Sequence, residues 1–159
     1  MRPNIIGIDP GLSGGIACIG NSGDVTLVDI PTFYNKKKNW IDYKKLATLI
    51  RTLSNWGNNQ VWIEDVHSMP KQGVASSFKF GRGFGILIGI CAAFQFPIRF
   101  VSPQKWKRKF KLIKTTKEDS ILMANSLYGK KIPLVNDGQA EALLIAHYGK
   151  LIYEEEKQC

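Results

Sequence analysis

The chain has 159 residues, 44% of them hydrophobic and 22% charged, an ordinary composition for a globular protein with enough length to bury a core. Twenty-two Lys and Arg against thirteen Asp and Glu leave a formal charge of +9, an excess that suits a polyanionic partner, nucleic acid above all. No apolar run reaches membrane-spanning length without a charge, and no signal-peptide or lipidation pattern is present, so the expectation is one domain of residues 1–159 with no membrane partner. The three cysteines, Cys18, Cys91 and Cys159, are scattered and odd in number, which argues against a disulfide framework and for a reducing cytoplasm. There is no Cys-x-x-Cys, and His67 and His147 stand alone, which speaks against structural zinc.

Residues 4–30 read as a three-stranded meander. Ile5 to Ile8 is the apolar run of a strand buried on both faces. Gly11-Leu12-Ser13-Gly14-Gly15 turns it back into Ile16 to Ile19, and Asn21-Ser22-Gly23-Asp24 leads into Val25 to Ile30. Asp9 closes the first strand and has two readings. It opens an Asp-Pro-Gly turn, or it is part of a site, because an ionised carboxylate at the end of a buried strand needs a compensating cation. Pro31 to Asn39 reads as a loop carrying Lys36, Lys37 and Lys38, a solvated triplet or a phosphate contact. From Asp42 to Asn55, Leu46, Leu49, Ile50 and Leu53 fall at helical spacing behind an Asp42 cap.

Val61 to Val66 is a second apolar strand ending in carboxylates, Glu64 and Asp65, and so repeats the pattern of Ile8-Asp9. A loop from His67 to Gly73 leads into a long helix reaching Phe94. In it Gly81, Gly85 and Gly89 lie four apart on one face. Each helical glycine costs about 1 kcal/mol, which a close approach across a sheet or a dimer interface would offset. Gly81-Arg82-Gly83 is a poor phosphate loop, since no suitable strand precedes it. Ile98 to Val101 is a short closing strand. Seven basic residues then fall between Lys105 and Lys117, interleaved with Trp106 and Phe110. This is either an exposed face whose aromatics point inward or a phosphate-binding surface. Thr115 or Thr116 caps a helix ending near Tyr128-Gly129.

The last helix runs from about Val135 to Tyr153, with Leu143, Leu144 and Leu151 as its buried stripe. Asp137 and Glu141 are four apart, so their carboxylates share a face and repel unless a cation sits between them; the other reading makes Asp137 an N-cap and Glu141 merely exposed. Glu154, Glu155 and Glu156 sit at the wrong end for the helix dipole and are expected in a frayed tail.

A meander joined to βαβ units builds a mixed five-stranded α/β sheet, three meander strands plus two parallel ones, with helices on both faces. The right-handed crossover rule sets the Val61 strand parallel to the Ile5 strand, so Asp9 and Glu64 emerge at neighbouring carboxyl ends. The final helix adds Asp137 and Glu141. Four carboxylates in one pocket call for divalent cations, and oxygen-only ligands favour Mg²⁺ or Mn²⁺. Two ions roughly 4 Å apart are the apparatus of phosphodiester hydrolysis. An acidic pocket in a basic chain suits a nuclease.

Gly7-Ile8-Asp9-Pro10-Gly11, Ile63-Glu64-Asp65-Val66 and Asp137-Gly138-Gln139-Ala140-Glu141-Ala142-Leu143 resemble the three acidic motifs of the RuvC family of Holliday-junction resolvases. Ser102-Pro103-Gln104-Lys105-Trp106-Lys107 and Thr116-Lys117-Glu118 are similar to the segments bearing that family's lysines, and the resemblance spans nearly the whole chain. It implies an RNase H-like fold, a homodimer, and Mg²⁺-dependent cutting of four-way or other branched DNA in a bacterial or phage-infected cell, without a small-molecule cofactor. Asp9, Glu64, Asp137 and Glu141 would be the catalytic metal ligands, and Lys107 and Lys117 would support the phosphate. The loop after Glu64 would reach the junction centre, and the Gly81 to Gly89 helix would pair with its mate. Further DNA contacts are expected from Lys36, Lys37, Lys38, His67, Lys71, Arg82, Lys105, Arg108, Lys109 and Lys111. The chain departs from the family in having Glu141 where an Asp is usual and Gly138 where the partner acid stands three residues earlier. His67 also takes the place of a wedging aromatic. Two other readings remain, a branched-DNA-binding protein that does not cut and an RNase H-like nuclease acting on RNA–DNA hybrids. An actin-like sugar kinase would need far more residues.

Overall fold

The computed structural model describes residues 2–36, 38–54, 57–67, 73–129, 132 and 136–158. Lys37, Lys71, Cys159 and the expected helix start at Val135 lie outside these residues.

The meander forms as expected from β1 (Asn4–Ile8), β2 (Gly15–Ile19) and β3 (Val25–Asp29). With β6 (Asn59–Glu64) and β7 (Ile98–Val101) it makes a five-stranded sheet in the order β3-β2-β1-β6-β7. β1 is antiparallel to β2 and parallel to β6, and β6 is parallel to β7. All five residues of β1 are buried, because the strand is central and covered on both sides. Its alternate side chains divide the core. Ile5 packs with Leu143, Leu144 and Ala146 of α5 (Asp137–Gln158), while Ile6 and Ile8 pack with Leu46 and Ile50 of α1 (Tyr43–Ser54) and Leu87 of α2 (Val74–Ala93). Asp42 caps α1 as expected, its Oδ1 accepting from the Lys45 N–H at 3.1 Å. Cys18 and Cys91 are buried, and burial pushes each thiol up to about 12, so both stay protonated and inert.

Four expectations are corrected. The stretch after Pro31 is a hairpin, not a loop. β4 (Thr32–Asn35) pairs antiparallel with β5 (Lys38–Ile41), Thr32 opposite Ile41 and Phe33 opposite Trp40. These are β-favouring side chains. Ile41, 5% exposed, ties the hairpin to the core, and Lys36, with φ 45°, and Lys38 flank its tip. Of the two close approaches expected of Gly81, Gly85 and Gly89, the one across the sheet is not made. Its inward face is Gly83, Leu87 and Cys91, whereas a Cβ added at Gly81, Gly85 or Gly89 would meet nothing within 4 Å. The acidic end of α5 is not a frayed tail. The helix continues to Gln158 because basic groups from distant elements meet it: Arg99 chelates Glu156 at 2.8 and 2.9 Å, and Lys109 pairs with Glu155 at 3.1 Å. The cap of α5 is Asn136 rather than Asp137, since the Gln139 N–H donates to Asn136 Oδ1 at 2.8 Å.

The basic stretch contains a short helix, α3 (Pro103–Lys109), whose Trp106 and Phe110 side are buried at 0% and 7% exposure. The aromatics therefore point inward, and Lys105, Arg108 and Lys109 point out. α4 (Lys117–Tyr128) follows, its first turn held by the Asp119 carboxylate, which accepts from the Thr116 N–H and hydroxyl at 2.8 and 2.9 Å. Those bonds keep the Asp119 carboxyl below its ordinary range.

Candidate active site

Four carboxylates meet at the carboxyl ends of β1 and β6. The parallel register sets Ile8 beside Ile63, so the next residue on each strand, Asp9 and Glu64, comes from neighbouring strand ends. α5 crosses the same end against β1 and β2. It comes close because β1 and α5 are nearly bare where they touch. A Cβ on Gly7 would lie 2.2 Å from the Ala142 carbonyl oxygen and 2.4 Å from the Ala146 nitrogen, distances no real side chain adopts. A Cβ on Gly138 would meet the Ser13 carbonyl oxygen at 2.2 Å. Position 138 packs against the turn following Asp9 with no room for a side chain, and the carboxylate nearest it on the helix is that of Asp137, one residue earlier.

The electrostatics are those of a crowded acidic pocket. Asp9 is raised from 3.8 to about 7, first by burial and then by the charges of Glu64, Glu141 and Asp137, with the Gly11 N–H opposing. Glu64 is 6% exposed. Its carboxyl is also raised by burial, though a hydrogen bond donated by Trp106 Nε1 at 2.9 Å holds it down. Glu141 accepts from Lys107 Nζ at 3.1 Å and from the Ser120 hydroxyl at 3.3 Å. Asp137 accepts from Lys117 Nζ, which lowers its carboxyl and raises the ammonium. Lys107 also stands over the Trp106 ring, 5.0 Å from its centroid.

The structure thus brings Asp9, Glu64, Asp137, Glu141, Lys107 and Lys117 together. Among the described residues no three His, Cys, Asp or Glu side chains surround one point as a metal site, and two of the carboxylates are paired with lysines. The donor set nonetheless fits a hard divalent cation. It offers carboxylate oxygens only, and Asp9 and Glu64 have no ion-pair partner among the described residues. The other expected contacts are dispersed. Lys105, Arg108 and Lys111 are exposed on or beside α3, Lys109 is engaged with Glu155, and Lys36 and Lys38 stand at the hairpin tip. His67 is exposed with its Nε2 3.9 Å from Asp65, and Arg82 lies over the Trp40 ring. Sequence reasoning missed Trp106 and Ser120 as partners of the acids. The one available signal was a tryptophan among lysines with no apolar periodicity of its own, which reads equally as a core anchor.

These elements make an RNase H-like α/β domain with an acidic cluster at the carboxyl ends of its parallel strands. The solved structure of Thermus thermophilus RuvC superposes with a TM-score of 0.65 at 19% identity, covering 96% of both chains. T. thermophilus RuvC in complex with Holliday junction substrate gives 0.64 at 17% identity, covering 98% of this chain and 97% of that one. In sequence, the crossover junction endodeoxyribonuclease RuvC of Nitratidesulfovibrio vulgaris is 30% identical over 115 residues, 65% of this chain. The chain spans less than two-thirds of that relative's length, 64%. No protein-family model matches the chain. The chain thus has the fold of the T. thermophilus RuvC structures and is similar in sequence to a RuvC relative over part of its length.

Proposed function

We propose that this chain is a divalent-metal-dependent endonuclease, a single nuclease domain acting as a homodimer, that resolves four-way DNA junctions by paired nicks on opposing strands in the bacterial cytoplasm. The observation that carries the reading is the burial of Asp9 among three further carboxylates in a chain of charge +9. Such a pocket repels the phosphate it must cut unless cations enter first. Asp9, Glu64, Asp137 and Glu141 would hold the metal, Mg²⁺ with Mn²⁺ as substitute and two ions to a site, which would stabilise the charge on the attacking and leaving oxygens of the phosphodiester.

The protein's own groups do the rest. Trp106 fixes the Glu64 carboxylate by its indole N–H, and Ser120 and Lys107 fix Glu141, so the acids are oriented before substrate arrives. Lys107 and Lys117 reach the cluster from α3 and α4 and offer their ammonium groups to an incoming phosphate. Lys105, Arg108 and Lys111 follow outward as contacts for the flanking backbone, with Lys36 and Lys38 at the hairpin tip and Arg82 over the Trp40 ring. His67 leads from β6 toward the junction centre. Pairing of two chains is supported by α2, where Val74 and Phe78 are 87% and 68% exposed beside Gly81, Gly85 and Gly89. An apolar helix face without cover is what a second copy would bury.

The test is cleavage of end-labelled four-way junctions beside linear duplex and RNA–DNA hybrid, with Mg²⁺ and with EDTA. Paired nicks across the junction that vanish in EDTA are expected. Binding without cutting would replace the proposal with a branch-recognition protein, and preferential cutting of the hybrid with a ribonuclease.

A further inference from the structure

A second concavity opens beside the catalytic end of β1, between the turn after Asp9, strand β5 and the first half of α2. Pro10, Leu12, Ile41 and Phe80 line an apolar volume of about 190 Å³, with Ser76 at its rim. Gly83 forms part of the wall, and a Cβ there would meet Ile41 Cδ1 at 2.8 Å, so α2 and β5 are as close as they can be at that point. A shallower hollow shares Leu12, Ile41, Lys79 and Gly83 with this cleft and extends it to Trp40 and Arg82.

The extended rim is cationic. The Lys79 ammonium lies 5.6 Å and the Arg82 guanidinium 4.7 Å from the centroid of the Trp40 ring. Among the described residues neither cation has a carboxylate partner. One aromatic ring attracts each of them, but two like charges over the same ring repel, and an anion set between them removes that repulsion. Trp40 is held in place by its pairing with Phe33 across the hairpin. An apolar slot with a paired cationic rim matches a nucleotide, whose base is flat and apolar on its faces and whose phosphate is anionic.

We infer that this cleft is a subsite for one unstacked nucleotide of the strand being cut. The base enters between Leu12, Ile41 and Phe80, and the phosphate lies between Lys79 and Arg82. The inference rests on the nuclease reading above. Pro10 and Leu12 belong to the turn that begins at Asp9, so the nucleotide is a near neighbour of the scissile phosphate. A junction is a favourable source for it, because unstacking is least costly where pairing is already interrupted.

The test is a four-way junction carrying 2-aminopurine at one position at a time around the cut, titrated in EDTA so that binding is read without cutting. The wild-type chain is expected to raise the fluorescence about threefold at one position, as the base leaves its stack. Ser76→Met reaches into the cleft from an exposed position without adding a ring that could quench. It should abolish that rise while leaving junction affinity within about threefold, since phosphate contacts elsewhere dominate affinity. Ser76→Ala should keep the rise. Junction binding with no position that brightens, or a rise that survives in Ser76→Met, overturns the subsite and leaves the nuclease reading standing. Failure of the wild-type chain to bind the junction overturns both.

Discussion

Replacing Asp9 by Asn should make the metal-free protein more stable while removing its activity. The Asp9 carboxyl rises from 3.8 to about 7 in the folded chain, so the folded state keeps its proton where the unfolded chain has lost it. The penalty for holding the charge is therefore absent below about 3.8, grows between 3.8 and 7, and is complete above 7. A rise of that size corresponds to about 4 kcal/mol at full strength. Water entering the charged pocket relieves roughly half, leaving about 2 kcal/mol. For a chain of this length that is about 4–8 °C in melting temperature. Thermal unfolding followed by circular dichroism in EDTA at pH 8 should show Asp9→Asn melting higher than wild type by that amount, and at pH 5 by about a third of it. Adding Mg²⁺ should raise the melting point of the wild type more than that of the variant. In junction assays the variant should bind and fail to cut. A variant no more stable than wild type at pH 8, or equally stabilised at pH 5, would refute the picture of an uncompensated acidic cluster.

Three further outcomes follow from the same pocket. Trp106→Phe removes the indole N–H from Glu64, which should cost about 1–3 kcal/mol of stability and move the acid limb of the pH–rate profile for cleavage upward, because the lost bond favoured the ionised carboxyl; an unmoved limb would separate Trp106 from the chemistry. Lys107→Ala should slow single-turnover cleavage of a junction more than it weakens binding in a gel-shift titration, and an unchanged rate would remove Lys107 from the site. Gly138→Asp places an acid where the motif this sequence resembles would have one, but its Cβ would meet the Ser13 carbonyl at 2.2 Å. It should therefore destabilise the chain by at least about 1–3 kcal/mol and fail to restore cutting to Asp137→Ala; restored cutting would show that α5 can shift to accommodate it.

What could be read from the chain was whatever is written locally. β1 and β6 are runs of Ile, Val and Trp ending in an acid, and both the parallel pairing and the meeting of Asp9 with Glu64 follow from the crossover rule. Asp137 and Glu141 share a helix face by spacing alone. The hairpin β4–β5 was hidden because Pro31 and the lysines dominate that stretch, while the pairing of Phe33 with Trp40 and the anchoring of Ile41 in the core are tertiary facts. The fate of Glu155 and Glu156 was hidden for the same reason. Their partners, Lys109 and Arg99, lie more than forty residues away, and no local rule relates them. Trp106 illustrates the limit most clearly. Its burial could be guessed, but its hydrogen bond to Glu64 depends on α3 docking over the end of β6.

The bare contact of β1 and the turn after it with α5 has a consequence for how this protein would tolerate mutation. Asp9 and Glu141 are held at their separation by backbone resting on backbone at Gly7 and Gly138, where even a methyl group would overlap an oxygen of the facing element. A screen of random variants for loss of junction cutting should therefore recover alanine at positions 7 and 138 alongside changes to the acids. Those two alleles would leave every carboxylate and lysine in the chain, and would fail because the helix bearing half of the cluster had been lifted away from the strand bearing Asp9.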